Sequence, residues 1–289
     1  MVKIKKVSNS DSLFSLTVIY QDTKSPNRER PEHIHDDYEI VYVYEGKGTF
    51  FIDDFFYQMQ SGDVFIIPAN TIHRATPDHL DPVNSSVVFF GPELFFPTLI
   101  DDSFSYWHLF EIIKNERKYK ISLSLEQQRK FKTQMERLKD ELVENKLGSR
   151  QASLLILHEI ILYLHRTLIE SAVTINLPHT NSPDWVKEIL GYINQNLNKK
   201  LTLTDLAQQA LVSTSHFSRV FRRSTGMRLT VYLNTKRVIK AQELLLATSL
   251  SVSYIADLCG FESLTHFHRV FKKYLKSSPS QYRKGKRGF

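Results

Sequence analysis

Four residues near the start of the chain have the types and spacing of a metal site. His33, His35 and Glu39 share parity, so on extended strands their side chains point to one face, where His73 could meet them. Three imidazoles and one carboxylate suit Fe, Mn, Ni or Zn. A metal-dependent oxygenase or isomerase is therefore one hypothesis for this part of the chain.

The last third of the chain contains an internal repeat. The segment 216–223, HFSRVFRR, recurs 50 residues later as 266–273, HFHRVFKK. With Ser213 and Ser263 as N-caps, each copy predicts a helix with one apolar face. The opposite faces carry Ser215, Ser218, Arg219 and Arg222 in the first copy, and Thr265, His268, Arg269 and Lys272 in the second.

A short helix, a tight turn and a second helix with a basic face form a helix-turn-helix motif, whose second helix enters the major groove of DNA. Arginine can reach guanine, while Ser, Thr and His bond to base edges; Arg222 and Lys272 suit phosphates. Residues 229–247 predict one connecting helix of roughly 27 Å. This length can hold two recognition helices about one DNA turn apart. One chain could then read two successive major-groove segments.

Charge is divided unevenly along the chain. Residues 182–289 hold 18 Lys and Arg against 6 Asp and Glu, a net charge of +12, whereas residues 1–181 have a net charge of −5. This asymmetry predicts a polyanionic partner for the last third only. Cys259 is the single cysteine, which excludes an internal disulfide. The longest apolar run, 154–164, is interrupted by His158 and Glu159, so we expect a cytoplasmic protein without a membrane span.

The first hundred residues have the pattern of a small β-domain. Phe14, Leu16, Val18 and Tyr20 alternate with mostly polar neighbours, as in a strand with one buried face. Further strands are predicted at 38–44, 48–52, 64–67 and 87–90, separated by turn residues. Short strands at close spacing predict an antiparallel sandwich or barrel.

Two helices are predicted after the strands. The apolar residues of 124–145 fall on one stripe, whereas 149–169 is apolar on more than one side. The second helix therefore either contacts a second subunit or is a plain core helix. Pro178 and Pro183 mark a linker. The predicted domains are a barrel at 1–100, a helical dimerisation segment at 101–170, a linker at 171–184 and a DNA-binding domain at 185–289.

The C-terminal residues carry a long family signature. The matching positions are Gly226, Tyr232, Leu233, Arg237, Ala241, Leu244, Leu245, Thr248, Ile255, Ala256, Gly260, Phe261, Ser263, Phe267, Arg269, Phe271, Lys272, Lys273, Ser278, Pro279, Tyr282 and Arg283. Residues 185–284 thereby resemble the DNA-binding domain of the AraC/XylS transcriptional regulators. The resemblance implies base contacts from Ser215, Ser218, Arg219, Thr265, His268 and Arg269. Leu211, where glycine is frequent, and Ser215, where some members have a large residue, depart from the pattern.

The N-terminal histidines also belong to a recognisable pattern. His33-x-His35-x₃-Glu39-x₆-Gly46, followed by Gly62-x₅-Pro68 and His73, resembles the two cupin motifs. The AraC family often carries a cupin-like sensor here, in most cases without metal. The resemblance then implies that these residues pin strands or contact a small ligand, so no cofactor is expected. Eight aromatic residues within 38–57 suit a sugar-like effector. The candidate ligand-binding residues are His33, His35, Glu39, Tyr42, His73, Arg74 and Trp107.

Taken together, the sequence predicts an α+β protein of two domains: a cupin-like β-barrel followed by helices, then an all-α DNA-binding domain with two helix-turn-helix motifs. The predicted function is that of a ligand-responsive transcription regulator, an activator by family resemblance, and not an enzyme. Its expected partners are promoter DNA, a small-molecule effector such as a carbohydrate, RNA polymerase and a second copy of the chain. The alternatives are a metal-dependent cupin enzyme with a DNA-binding tail, a ligand-responsive repressor and a constitutive architectural DNA-binder.

Overall fold

The computed structural model describes residues 7–8, 14–24, 37–94, 105–170 and 183–286. The chain divides into two compact units, Met1–Thr180 and Asn181–Phe289. We describe each unit by itself. A β-rich unit with helices precedes an all-helical unit, as the sequence predicted.

The first unit contains two antiparallel sheets. The larger sheet has the strand order β1-β2-β8-β3-β6-β9, and the smaller has the order β5-β4-β7. The strands are β1 (Val7–Ser8), β2 (Leu16–Lys24), β3 (Tyr38–Glu45), β4 (Gly48–Ile52), β5 (Phe55–Met59), β6 (Asp63–Ile67), β7 (His73–Pro77), β8 (Val83–Phe90) and β9 (Lys120–Ser122). The predicted strands are confirmed, while β5, β7 and β9 add pairings that local sequence patterns did not indicate.

The two sheets face each other across an aromatic interior. Phe50 of the small sheet lies 4.9 Å, centroid to centroid, from Phe65 of the large sheet. Strand β3 is central in the large sheet, because it pairs with both β6 and β8. Both of its faces are buried, so its sequence reads as a nearly continuous apolar run rather than a simple alternation.

The described residues of the first unit form three α-helices: α1 (Tyr106–Glu116), α2 (Leu125–Glu144) and α3 (Ser149–Glu170). Ser124 caps α2 through a complete capping box with Gln127. The helices pack on the outer face of the large sheet. The ring centroid of Tyr42 lies 5.1 Å from that of Phe131 of α2, and the ring centroid of Tyr38 lies 4.6 Å from that of Phe110 of α1. This packing buries the second face of β3.

Helix α3 is longer than the apolar run that the sequence displayed. Within the part of the chain that the structure describes, it is the one helix long and apolar enough to cross a membrane by length and composition alone. Half of that apolar stretch is buried within the protein, and α3 packs along α2 and α1. Its contacts are those of a core helix.

The second unit is entirely helical over its described residues. Its helices are α4 (Asp184–Gln195), α5 (Leu203–Gln209), α6 (Thr214–Thr225), α7 (Leu229–Ala247), α8 (Val252–Leu258), α9 (Leu264–Leu275) and α10 (Pro279–Lys286). Helix α7 has the predicted bounds. The side chains of Ser213 and Ser263 accept hydrogen bonds from the backbone N–H groups of His216 and His266, which confirms both predicted N-caps.

The sequence repeat is also a repeat of packing. Phe221 meets Tyr232 edge to face at 5.4 Å, and 50 residues later Phe271 meets Tyr282 in the same way at 5.6 Å. The pairs α5–α6 and α8–α9 are therefore two copies of one helix-turn-helix unit, with α7 running between them.

Candidate nucleic-acid interface and effector site

Helix α6 exposes the predicted polar residues of the first repeat. Phe217 and Phe221 are fully buried on its inner face. The outer face carries Ser215, Ser218, Arg219 and Arg222, all of them exposed. The arrangement is an amphipathic helix anchored by its aromatic side, with its basic side open to a partner.

Helix α9 repeats this geometry with small differences. Thr265, Arg269 and Lys272 are exposed. His268 is half-buried, because its ring packs 5.9 Å from the ring of Phe267. Lys272 lies in the last turn, where the helix dipole favours a cation.

The two recognition helices differ in how their polar side chains are engaged. In α6, Nη2 of Arg219 lies 3.3 Å from Nδ1 of His216, and the hydroxyl of Ser215 lies 3.2 Å from that of Ser213. In α9, Thr265 and Arg269 make no side-chain hydrogen bond or ion pair with any residue that the structure describes. Thr265 and Arg269 of α9 are therefore available to a partner without first breaking a contact to another described residue.

The turns that precede the two helices also differ. Leu211 adopts a positive φ of 55° and is 92% exposed. Gly260 occupies the corresponding turn of the second repeat with φ of 82°. A β-carbon in this backbone region is strained, so the first turn carries a cost that the second avoids.

Between the sheets of the first unit, Glu39 and His73 meet. Oε2 of Glu39 lies 2.9 Å from Nε2 of His73, and their side chains are only 5% and 10% exposed, respectively. Nδ1 of His73 lies 2.9 Å from the carbonyl oxygen of Thr71, which can only accept a hydrogen bond.

The neighbours of this pair follow from the register. Glu39 stands between Ile67 of β6 and Phe89 of β8, and His73 stands beside Ile52 of β4. Phe50, on the same face of the small sheet, lies 6.2 Å from the His73 ring. Further along β8 on the inner face, the hydroxyl of Ser85 is buried without a hydrogen-bond partner among the described residues. These groups form a mixed polar and aromatic interior.

Three other candidate residues do not lie beside this pair. Tyr42 lies on the opposite face of β3 from Glu39, against α2, where burial raises the pKa of its hydroxyl. Arg74 follows His73 directly and so faces the outer side of the small sheet. Trp107 of α1 contacts Tyr38 on the helical side. Strand parity alone would have distinguished Tyr42 and Arg74 from the pair.

The structure describes two of the four candidate metal ligands. Glu39 and His73 are together, but His33 and His35 lie outside the described residues. Among the described residues no group of three or more His, Cys, Asp or Glu is arranged to hold a metal ion. A carboxylate and an imidazole can donate to and accept from hydroxyl groups without a metal, and this is the chemistry that the visible pair offers.

Comparison with protein families identifies both units. Residues 15–161 match the AraC-like ligand-binding domain, and residues 206–285 match a helix-turn-helix domain. The chain is therefore a DNA-binding transcription regulator with an attached ligand-binding domain, rather than an enzyme. It belongs to the AraC family of helix-turn-helix transcriptional regulators.

Two sequence relatives agree with this assignment. The chain is 29% identical to YfiF of Bacillus subtilis, an uncharacterized HTH-type transcriptional regulator, over 87% of this chain and 78% of that protein. It is 26% identical to the HTH-type transcriptional activator RhaS of Shigella sonnei, over 93% and 92% of the two chains. Among solved structures, it is similar to the DNA-binding domain of AdpA in complex with a target DNA, with 35% identity, a TM-score of 0.34, and coverage of 35% of this chain and 90% of that one.

Proposed function

We propose that this protein is a transcription activator whose first domain binds a carbohydrate effector and whose second domain binds promoter DNA through α6 and α9. The observation that carries the proposal is the Glu39–His73 pair, which is buried between two sheets at 2.9 Å. Burying a polar pair is costly compared with apolar packing. We therefore expect the buried pair to have a function, and hydrogen bonding to the hydroxyl groups of a ligand is the function that we propose.

The interior favours a carbohydrate over an apolar effector. Glu39 and His73 supply an acceptor and a donor, and Ser85 adds a buried hydroxyl. The ring of Phe50 and the half-buried ring of Phe89 add flat apolar walls. Pockets for polyol-like ligands combine such aromatic faces with a few fixed polar groups.

The recognition helices support a division of roles at the DNA. Thr265, His268 and Arg269 of α9 would contact base edges, with Lys272 on a phosphate. Ser215, Ser218 and Arg219 of α6 would contact the neighbouring groove, with Arg222 on the backbone. As an activator, the protein would act with RNA polymerase in the cytoplasm; its similarity to the transcriptional activator RhaS supports this sign of regulation.

The outer face of α3 supports a homodimer. Leu155, Leu162 and Ile169 recur every seven residues, and Leu155 and Ile169 are 68% and 56% exposed. Arg166 lies between them and is exposed as well. Large apolar side chains exposed on one face of a helix mark a site of protein–protein contact. A second copy of the chain is therefore the proposed occupant of this face.

Thermal-shift screening of the full-length chain tests the effector class. At about 100 times Kd, a ligand stabilises its protein by ~2.7 kcal/mol. For a domain of this size the melting temperature should rise by roughly 5–10 °C. We expect a sugar to produce this shift with the wild type and with Arg74→Gln, whose side chain faces away from the interior, but not with Glu39→Gln. A shift from amino acids alone would refute the carbohydrate class, and DNA binding that no compound changes would favour the architectural alternative.

A further inference from the structure

A polar joint connects the two helix-turn-helix units. We call it the inter-repeat joint; it consists of the segment 197–200 between α4 and α5, Arg237 of α7, and the turn 260–262 between α8 and α9. Nε of Arg237 donates to the carbonyl of Leu197 at 3.1 Å, and Nη2 donates to that of Lys199 at 2.9 Å. Arg237 is only 9% exposed, so the guanidinium group is fixed inside the protein.

The second repeat touches the same carbonyl. A β-carbon added to Gly260 would lie 2.2 Å from the carbonyl oxygen of Leu197, so the glycine backbone packs directly against it. Nζ of Lys200 lies 3.6 Å from Oε1 of Glu262, although both side chains are largely exposed. The carbonyl of Leu197 is therefore shared by Arg237 and the turn that precedes α9.

The described residues of the second repeat form a hydrophobic cluster of their own. The hydrophobic cluster around α8 and α9 consists of buried residues from Val238 onwards, ending at Tyr282. A cleft of about 400 Å³ borders the joint, with Asn198, Thr202 and Asp257 among its lining residues. The second repeat thus has a core of its own, and its turn 260–262 contacts the segment 197–200 through the Gly260 backbone and the Lys200–Glu262 ion pair.

The position of the joint relates it to both recognition helices. The segment 197–200 leads into Thr202, the N-cap of α5, and the turn 260–262 leads into Ser263, the N-cap of α9. The length of helix α7 sets the distance between the two helix-turn-helix units. A single connecting helix can still bend, so it does not by itself fix the orientation of one unit relative to the other. A second point of attachment, away from the axis of α7, removes that freedom.

We propose that Arg237 is a positioning residue that sets the spacing and relative orientation of α6 and α9, and so the distance between the two DNA segments that one chain recognises. This inference depends on the proposed DNA-binding role of both helices. Arginine suits the task because its planar fork bonds two carbonyl groups at once, whereas lysine offers a single point charge.

Arg283 provides a matched control for substitution of Arg237. Nε of Arg283 donates to the carbonyl of Leu245 at 3.3 Å, and its Nη2 donates to that of Leu250 at 2.6 Å. Arg283 therefore bonds two carbonyls at the end of α7 as Arg237 bonds two after α4, but neither of its partners belongs to the segment 197–200 or to the first repeat. Removing Arg283 should affect the second repeat without changing the spacing between repeats.

The test uses the full-length chain and a DNA duplex selected by the wild type from a randomised library. The affinity is measured for that duplex, for duplexes with one base pair inserted or removed between the two recognised segments, and for a duplex with one segment scrambled. We expect a one-base-pair change to weaken wild-type binding at least tenfold, but Arg237→Ala binding less than threefold. Arg237→Ala should bind the half-scrambled duplex as the wild type does, and Arg283→Ala should keep the wild-type spacing preference.

Arg237→Lys keeps the charge and is the fallback if Arg237→Ala does not fold; it should lose part of the spacing preference. A folded Arg237 variant that retains the full tenfold penalty would overturn the proposal, as would equal loss of binding to every duplex. If the wild type selects no duplex at all, the DNA-binding role itself has failed. That outcome is distinct from a failure of the joint.

Discussion

Oε2 of Glu39 on β3 and Nε2 of His73 on β7 lie 2.9 Å apart, although the two strands belong to different sheets. The contact joins the two sheets of the ligand-binding domain through a buried polar pair. An effector that bound the Glu39 carboxyl group and the His73 imidazole would therefore contact both sheets at once.

Breaking this pair should destabilise the first domain and abolish its effector response. Glu39→Ala leaves Nε2 of the buried His73 ring without its hydrogen-bond partner, so we expect a loss of about 1–3 kcal/mol in the free energy of unfolding. Urea denaturation of the full chain, followed by far-UV circular dichroism, measures this. Arg74→Gln, one residue from His73 on the other face, should cost much less. Equal losses in the two variants would contradict the role assigned to the pair.

Relieving the strained turn of the first repeat should stabilise the second domain. Leu211 has a positive φ and is almost fully exposed, so its side chain contributes little packing to offset the strain. We expect Leu211→Gly to raise the free energy of unfolding by about 1 kcal/mol. Leu211→Ala retains a β-carbon at the same φ and should bring no comparable gain. A destabilised glycine variant in thermal denaturation would show that the leucine makes a useful contact.

Two residues of α9 should affect DNA binding differently. Arg269→Ala should cost about 1–3 kcal/mol on the selected site and relax the preference at one position. Lys272→Ala should weaken all sequences alike and reduce the salt dependence of binding by about one counterion. Fluorescence anisotropy titrations on specific and scrambled duplexes at several salt concentrations separate these effects. Identical behaviour of the two variants on scrambled DNA would refute the division of roles.

The stability of the first domain should fall as the solution is acidified. Burial lowers the pKa of His165 on α3 below its usual value, with further contributions from His108 and Arg166, so the unfolded chain binds a proton more readily than the folded chain. The stability contributed by neutral His165 is present above the unfolded pKa and is lost as pH falls through the folded one. His165→Gln should flatten the decline between pH 7.5 and 5 in urea denaturation. His79→Gln, a change at an exposed loop position, should leave it intact.

The stripe on α3 should determine the oligomeric state. Leu162→Glu introduces a charge at the centre of the apolar seven-residue repeat, so we expect sedimentation velocity to show a monomer where the wild type is a dimer. Leu147→Glu is the matched control, because Leu147 is fully exposed in the turn before α3 and lies off the stripe. A wild-type monomer at micromolar concentrations would refute the homodimer.

Local patterns predicted the elements whose stabilising contacts are near in sequence. The N-caps at Ser213 and Ser263 and the bounds of α7 follow from hydrogen bonds and apolar spacing within one or two turns. The segment 216–223, which recurs 50 residues later, likewise predicted two equivalent helices, because each copy carries its own aromatic face. Strand β7 was not predicted, since its half-buried residues acquire their environment only by pairing with β4.

Local patterns predicted a β-rich domain followed by a basic domain with two helix-turn-helix motifs, because strand alternation, charge, repeats and capping residues can be read from neighbouring positions. Which polar residues meet depends instead on tertiary packing. Glu39 contacts His73 because one face of β3 packs against the small sheet. Tyr42 contacts α2 because the other face of β3 packs against the helices. Arg237 acquires its two carbonyl partners for the same reason: they lie about forty residues away along the chain and become adjacent only when α4 packs beside α7.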